Sequence, residues 1–309
     1  MRYQIMDGRI SNFEQVASLR RYTITDGRGK GLDVIDCDNG NIRFLLNVSK
    51  ACDIMQMYHR GQNLSFISKN GFIKRELPFA KRFEGGMLYT CGLDSVGDRE
   101  GFDEHGSVHN IPAEIIRAEC SETGITVEAI IRDTEVCGRN LILRRTIFAQ
   151  IGGDSISVVD KLTNETYRDE DYCLLYHVNL GYPLIDDGAK VLTDATGILP
   201  RTPWAEKNIA TAFDITAPIP NMEETCYYPE EQTPEVSLIN EKLGKKFTVS
   251  YSGATLPNFL LWKNMTSGDY AVGLEPCTTK LDHLFEYSKI KAGETIEFCV
   301  NLKICDIEP

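Results

Sequence analysis

Short apolar runs, many of them alternating, recur along this chain with almost no helical periodicity between them. IRFLLNVS (42–49), GITVEAIIRD (124–133), LILRRTIFAQ (141–150), SISVVDKLTN (155–164), LLYHVNLG (174–181), KFTVSYS (246–252), NFLLWKNM (258–265), YAVGLEP (270–276) and TIEFCVNLKI (295–304) are rich in branched and aromatic residues. Gly, Asn, Asp or Pro usually separates them. Many strands without interleaved helices predict an all-β fold, a large sandwich of antiparallel sheets. The 309 residues suffice for a single domain over 1–309, because large all-β domains routinely exceed about 200 residues. Residues 1–30 read as a helical N-terminal extension, with a short helix starting in SNFEQVASLRRYTITDG (11–27) under a Ser11 cap. The proline- and acid-rich TAPIPNMEETCYYPEEQTPEV (216–236) reads as a long surface loop or lid.

Charge narrows the partners. The formal net charge is −12, which argues against nucleic acid and against an anionic membrane, since both call for a basic surface. No run approaches the roughly 18 apolar residues of a membrane-spanning helix. The opening MRYQIMDGRI has no apolar segment of signal-peptide type. The ten cysteines are scattered and form no C-x-x-C pair. A cytoplasmic protein with reduced, mostly buried thiols is therefore expected. No dinucleotide or P-loop glycine motif, no G-x-S-x-G elbow and no H-E-x-x-H is present, so neither a cofactor nor a metal is expected. His105, His177 and Glu275 remain a minor candidate set for a metal.

The stretch CLLYHVNLGYPLID (173–186) carries the functional signal. Alternate residues of a strand face opposite ways. One face is Leu174, Tyr176, Val178, Leu180 and Tyr182, which suits a core; the other is Leu175, His177, Asn179 and Gly181. An imidazole, an amide and a glycine in line suit the floor of a concave polar pocket, or a core histidine satisfied by a neighbouring carbonyl. In YAVGLEP, Glu275 lies opposite Val272 and Leu274; it reads as a buried carboxylate, costly unless partnered, or as an edge carboxylate exposed in a turn. Lys263 reads as a pocket cation or a solvated edge lysine. Arg82 stands just before Gly85-Gly86, and His105 and His109 lie in a loop-like stretch.

RFEGGMLYTCGL, EHGSVHNIPAE, LLYHVNLGYPLID and LLWKNMTSGDYAVGLEP, in that order, resemble a bacterial branch of the aldose 1-epimerase (galactose mutarotase-like) superfamily, one catalogued as a domain of unknown function. SKACDIMQMYHRGQNLSFIS (49–68) resembles an early motif of that branch. The resemblance covers roughly 30–305. It implies a β-supersandwich whose concave face binds a monosaccharide. By motif order it implies Glu275 as the base at the anomeric hydroxyl and His177 as the acid at the ring oxygen. His105 and Arg82 would hold sugar hydroxyls. Asp53 is a candidate for the family's substrate-binding aspartate, and Lys263 belongs to the motif of this branch. His177 is followed by Val178-Asn179 where the mutarotases usually have Tyr-Phe-Asn.

Opening a cyclic hemiacetal takes one acid and one base at the C1–O5 unit. Asn179 offers a donor and an acceptor, and Arg82 and Lys263 donate to sugar oxygens. The same acid–base pair also serves isomerisation or elimination on a modified or keto sugar. A non-catalytic carbohydrate-binding protein would need neither group. An unphosphorylated or mildly acidic sugar is expected, and a homodimer through exposed edge strands.

Overall fold

The computed structural model describes residues 8–75 and 77–307. Three antiparallel sheets of five, eight and seven strands form most of the regular structure among the described residues. The five-stranded sheet runs in sequence order from Ser18–Thr23 to Gln62–Asn63. The eight-stranded sheet is centred on the long strands Gly124–Thr134, Asn140–Gln150, Ser155–Asn164 and Thr295–Asp306. In the seven-stranded sheet Glu170–Leu180, Ala271–Cys277 and Asn258–Asn264 lie side by side, and Tyr89–Leu93 pairs with the first of them.

Alternation along the strands decides what each face meets. Ile125, Val127, Ile131, Phe298, Val300 and Leu302 of the eight-stranded sheet share one buried cluster with Leu174, Tyr176, Val178, Leu180, Val272 and Leu274 of the seven-stranded sheet. Ile35, Phe44, Leu46 and Ile54 of the five-stranded sheet join it. The opposite face of the seven-stranded sheet carries a smaller cluster with Leu175, Tyr89, Leu260 and Cys226. The site lies on that second face.

A charged network crosses the main core. The Arg145 guanidinium, with a fully buried side chain, donates to Asp53 at 2.5 Å, to Asp160 at 2.7 and 2.9 Å, and to the Ala51 carbonyl and Thr90 hydroxyl at 2.9 Å. The Tyr176 hydroxyl donates to Asp160 at 2.7 Å. Asp53, expected to bind substrate, belongs to this network instead: it accepts from the Thr90 amide at 2.8 Å and lies 2.6 Å from His109 Nδ1. Burial works against its charge, but Arg145, His109 and Thr90 outweigh burial and hold the carboxyl below its ordinary range.

Two local expectations need correction. The helix expected in 11–27 is a single 3-10 turn, Phe13–Gln15, followed directly by the Ser18–Thr23 strand. Asn12, not Ser11, caps the turn, through a reciprocal box with Gln15. Part of the 1–30 extension, residues 1–7, lies outside the described residues. The presumed loop 216–236 contains the strand Thr225–Glu230, buried except for Glu230, and the start of Glu235–Asn240. Tyr227 and Tyr228 are almost fully buried, so aromatic burial overrides the proline and acidic signals on either side. The cysteines among the described residues are all free, six of them buried. No helix among the described residues is long and apolar enough to cross a membrane.

Candidate active site

Register places the key pair. Leu175 faces Cys277 and Val178 faces Leu274 across the two central strands, so His177 stands beside Glu275. The imidazole Nδ1 is 3.3 Å from Glu275 Oε1. Neither Glu275 oxygen, nor His177 Nδ1, has a hydrogen-bond partner among the described residues. Glu275 is 0% exposed, and a buried carboxyl without a protein partner is rare because the desolvation cost stays uncompensated. Gly273 makes the placement feasible: a Cβ there would come within 2.0 Å of Glu275 Oε1.

Both groups line a cavity of about 510 Å³. Leu260 lies opposite Glu275, and Trp262 lies opposite Gly273, on the same face. The His177 ring is 5.3 Å from Trp262, 5.6 Å from Phe83 and 5.7 Å from His105. Loop residues Phe66, Asp98 and Glu104, Phe79 at the start of the short helix Phe79–Arg82, and the side chains of Arg201 and Glu224 complete the walls. Aromatic walls with convergent polar groups are the usual build of a small-molecule site. A groove of about 590 Å³ near Glu230 and Lys280 contains no unpartnered buried polar atom among the described residues.

Burial, with Glu224 adding to it, pushes the Glu275 carboxyl well up, and Arg201 only partly opposes this. Burial, with His105 adding to it, pushes His177 well down. Both shifts favour a proton on the Glu275 carboxyl over one on the His177 imidazole. His105 is pushed down to about 4 by burial and by Arg201 and Arg82. Its Nδ1 accepts from the Gly97 amide at 3.4 Å, which leaves Nε2–H as the donor of the neutral ring. No cluster of three or more His, Cys, Asp or Glu among the described residues is placed to hold a metal ion.

Residues 29–296 match the family described as a domain of unknown function, DUF4432. The chain belongs to that family. No curated protein matches it by sequence. Its fold is similar to that of a "putative aldose 1-epimerase" from Klebsiella pneumoniae subsp. pneumoniae MGH 78578, at TM-score 0.82 and 18% identity over 96% of this chain and 87% of the other. A galactose mutarotase-like protein from Clostridium acetobutylicum superposes at TM-score 0.69, with 12% identity over 95% and 100% of the two chains. One from Lactobacillus casei ATCC 334 does so at 0.62, with 13% identity over 88% and 100%. These likenesses show a galactose mutarotase-like fold.

In this DUF4432 chain three of the seven expected site residues, Glu275, His177 and His105, line one cavity; the other four do not. Asn179 is fully buried and its amide turns back to the His177 carbonyl at 3.0 Å. The space expected beside Gly181 is filled by the Ser65–Phe66 backbone, which approaches a Gly181 Cβ position to 2.7 Å. Lys263 sits one residue out of phase with Trp262. It points to the other face and donates to the Thr211 and Asp214 carbonyls at 2.8 and 2.7 Å. Burial pulls its amine down to about 8.

Arg82 is a strut rather than a sugar ligand. It donates to the Leu77 carbonyl at 2.7 Å and pairs with Asp103 through both terminal nitrogens. That tie joins the segment bearing Phe79 and Phe83 to the segment bearing Glu104 and His105. Arg82→Ala should therefore loosen two walls: steady-state kinetics should show KM up by about 3- to 10-fold with a smaller change in kcat. A fall in kcat alone would return Arg82 to the chemistry.

Arg201, Trp262, Phe83 and Glu224 line the site without having been singled out from sequence. Trp262 was legible by phase, since it shares a face with Leu260. Arg201 precedes the short helix Pro203–Lys207 and gives no sequence signal of its own.

Proposed function

We propose that this protein opens and recloses the cyclic hemiacetal of a monosaccharide, interconverting its anomers. The observation that carries this reading is the Glu275–His177 pair, buried, adjacent and unpartnered in an aromatic-walled cavity. Ring opening moves a proton off the anomeric hydroxyl O1 and another onto the ring oxygen O5. Both oxygens are attached to C1, so an adjacent acid and base can serve them together. The protonated Glu275 gives its proton to O5 as the neutral imidazole of His177 takes one from O1. After rotation about C1–C2 the roles reverse from the other anomer. This exchanges the roles expected from sequence, because burial leaves the proton on the carboxyl rather than on the imidazole. Trp262 and Phe83 offer ring faces to the C–H surface of a pyranose, and His105 donates to a hydroxyl. The fold shared with mutarotase-like proteins supports the reading.

The active form exists between two limits. Acidification through the lowered pKa of His177 removes the base, and a pH above the raised pKa of Glu275 removes the acid. The expected pH–rate profile is flat through neutrality and falls on both sides. Polarimetry of freshly dissolved single anomers, over a panel of aldoses, tests the function with wild type and His177→Asn. Faster equilibration of at least one sugar, reduced about 100-fold or more in the variant, is the expected result. No acceleration with any sugar, or a product other than the second anomer, would contradict it.

A further inference from the structure

The charges around the cavity bear on which sugar enters. Five carboxyl-bearing residues line it, Asp98, Glu104, Glu224, Asp269 and Glu275, against the two full cations Arg201 and Lys69. Both cations are already engaged. Arg201 makes a two-pronged pair with Asp282 at 2.6 and 3.0 Å, and Lys69 pairs with Asp269 at 2.6 Å. Asp98 and Glu104 have no ion-pair partner among the described residues, and Glu224 accepts only from the Trp262 indole, at 2.8 Å. An incoming phosphate or carboxylate thus meets no unengaged cation and several like charges. A second feature points to a ligand: Glu275, fully buried, has both oxygens unpartnered and aimed into the same cavity.

We infer that the site takes a sugar bearing a free, protonated amine, which Asp98, Glu104 and Glu224 would hold while the anomeric carbon meets Glu275 and His177. This rests on the reading of the cavity as a sugar site. The crowding is visible in Glu104, whose carboxyl is raised by burial and by Asp98 and Glu224. An ammonium group among these three would relieve that repulsion, whereas a neutral hydroxyl would not. The preference is electrostatic and partly exposed, so salt should weaken it.

Calorimetric binding to the whole protein tests this independently of turnover. The probes are glucosamine, galactosamine and mannosamine, their parent hexoses, the N-acetylated amines, the uronic acids and the hexose 6-phosphates. The pH is held below that of amine deprotonation. At least one amino sugar should bind about tenfold more tightly than its parent and its N-acetyl form at about 0.02 M salt. The ratio should shrink at about 0.5 M salt, and shrink again in Glu104→Gln and Glu224→Gln. Neutral sugars binding as well as the amines would overturn this inference and leave the ring-opening reading standing. So would tighter binding of a uronate or phosphate, or a preference unchanged in both variants. Failure of every sugar to bind would overturn both.

Discussion

Glu275→Gln is expected to lose about 100-fold or more of the anomer-exchange rate while still binding sugar within a few-fold of wild type. Glutamine keeps the shape that Gly273 accommodates, but it can neither give nor take the proton. Binding calorimetry beside exchange kinetics reads both halves. Retained turnover would remove Glu275 from the chemistry. The same substitution should change stability in the opposite sense. Burial raises the Glu275 pKa in the native state, while an unfolded glutamate ionises near about 4.3. Because its folded pKa is raised, the native state holds the extra proton, and stability falls as pH rises from the unfolded value towards the folded one. The glutamine variant lacks this penalty. Its thermal midpoint should fall less than that of wild type between slightly acid and slightly alkaline pH.

Arg145→Met is expected to cost about 3–5 kcal/mol, a large fraction of the roughly 5–15 kcal/mol that holds an ordinary domain folded. The substitution removes the shared counter-charge of Asp53 and Asp160 and leaves both carboxyls buried between sheets. It also strips donors from the Ala51 carbonyl and the Thr90 hydroxyl. Arg145→Lys should recover only part of the loss, because one ammonium cannot reproduce the guanidinium fork that reaches both aspartates. Denaturant midpoints measure the series. A shift below about 1 kcal/mol would mean that the network contributes no more than a surface ion pair.

Much of the fold was legible because strand periodicity reports burial on one face. Of the core face expected over 174–182, Leu174, Tyr176, Val178 and Leu180 are in the core while Tyr182, past the strand end, is 69% exposed; the split of Val272 and Leu274 against Glu275 holds. The loop expected at 216–236 gave way to the strand Thr225–Glu230 because proline and acid flank a segment whose burial depends on partners distant in sequence. Within the site, phase was a better guide than residue type. His177 and Glu275 were placed by alternation, and the register then brought them together. Lys263 and Asn179 were chosen for their polar groups: one lies on the wrong face, and the other turns its amide back to the His177 carbonyl. Asp53 and Arg82 are charged groups whose partners, Arg145 and Asp103, are 92 and 21 residues away. Sequence spacing cannot show such pairings.

The protonation state of the pair is the centre of the account, and the five histidines of the chain make it measurable. Nitrogen NMR of the histidine-labelled protein, with His177 assigned through His177→Asn, reads each ring directly. The expected result is a neutral His177 imidazole at pH 7 that remains neutral below the ordinary histidine value of about 6.5. Glu275→Gln should leave that ring neutral. A doubly protonated His177 at pH 7, losing its charge in Glu275→Gln, would contradict the account and return the proton to the imidazole.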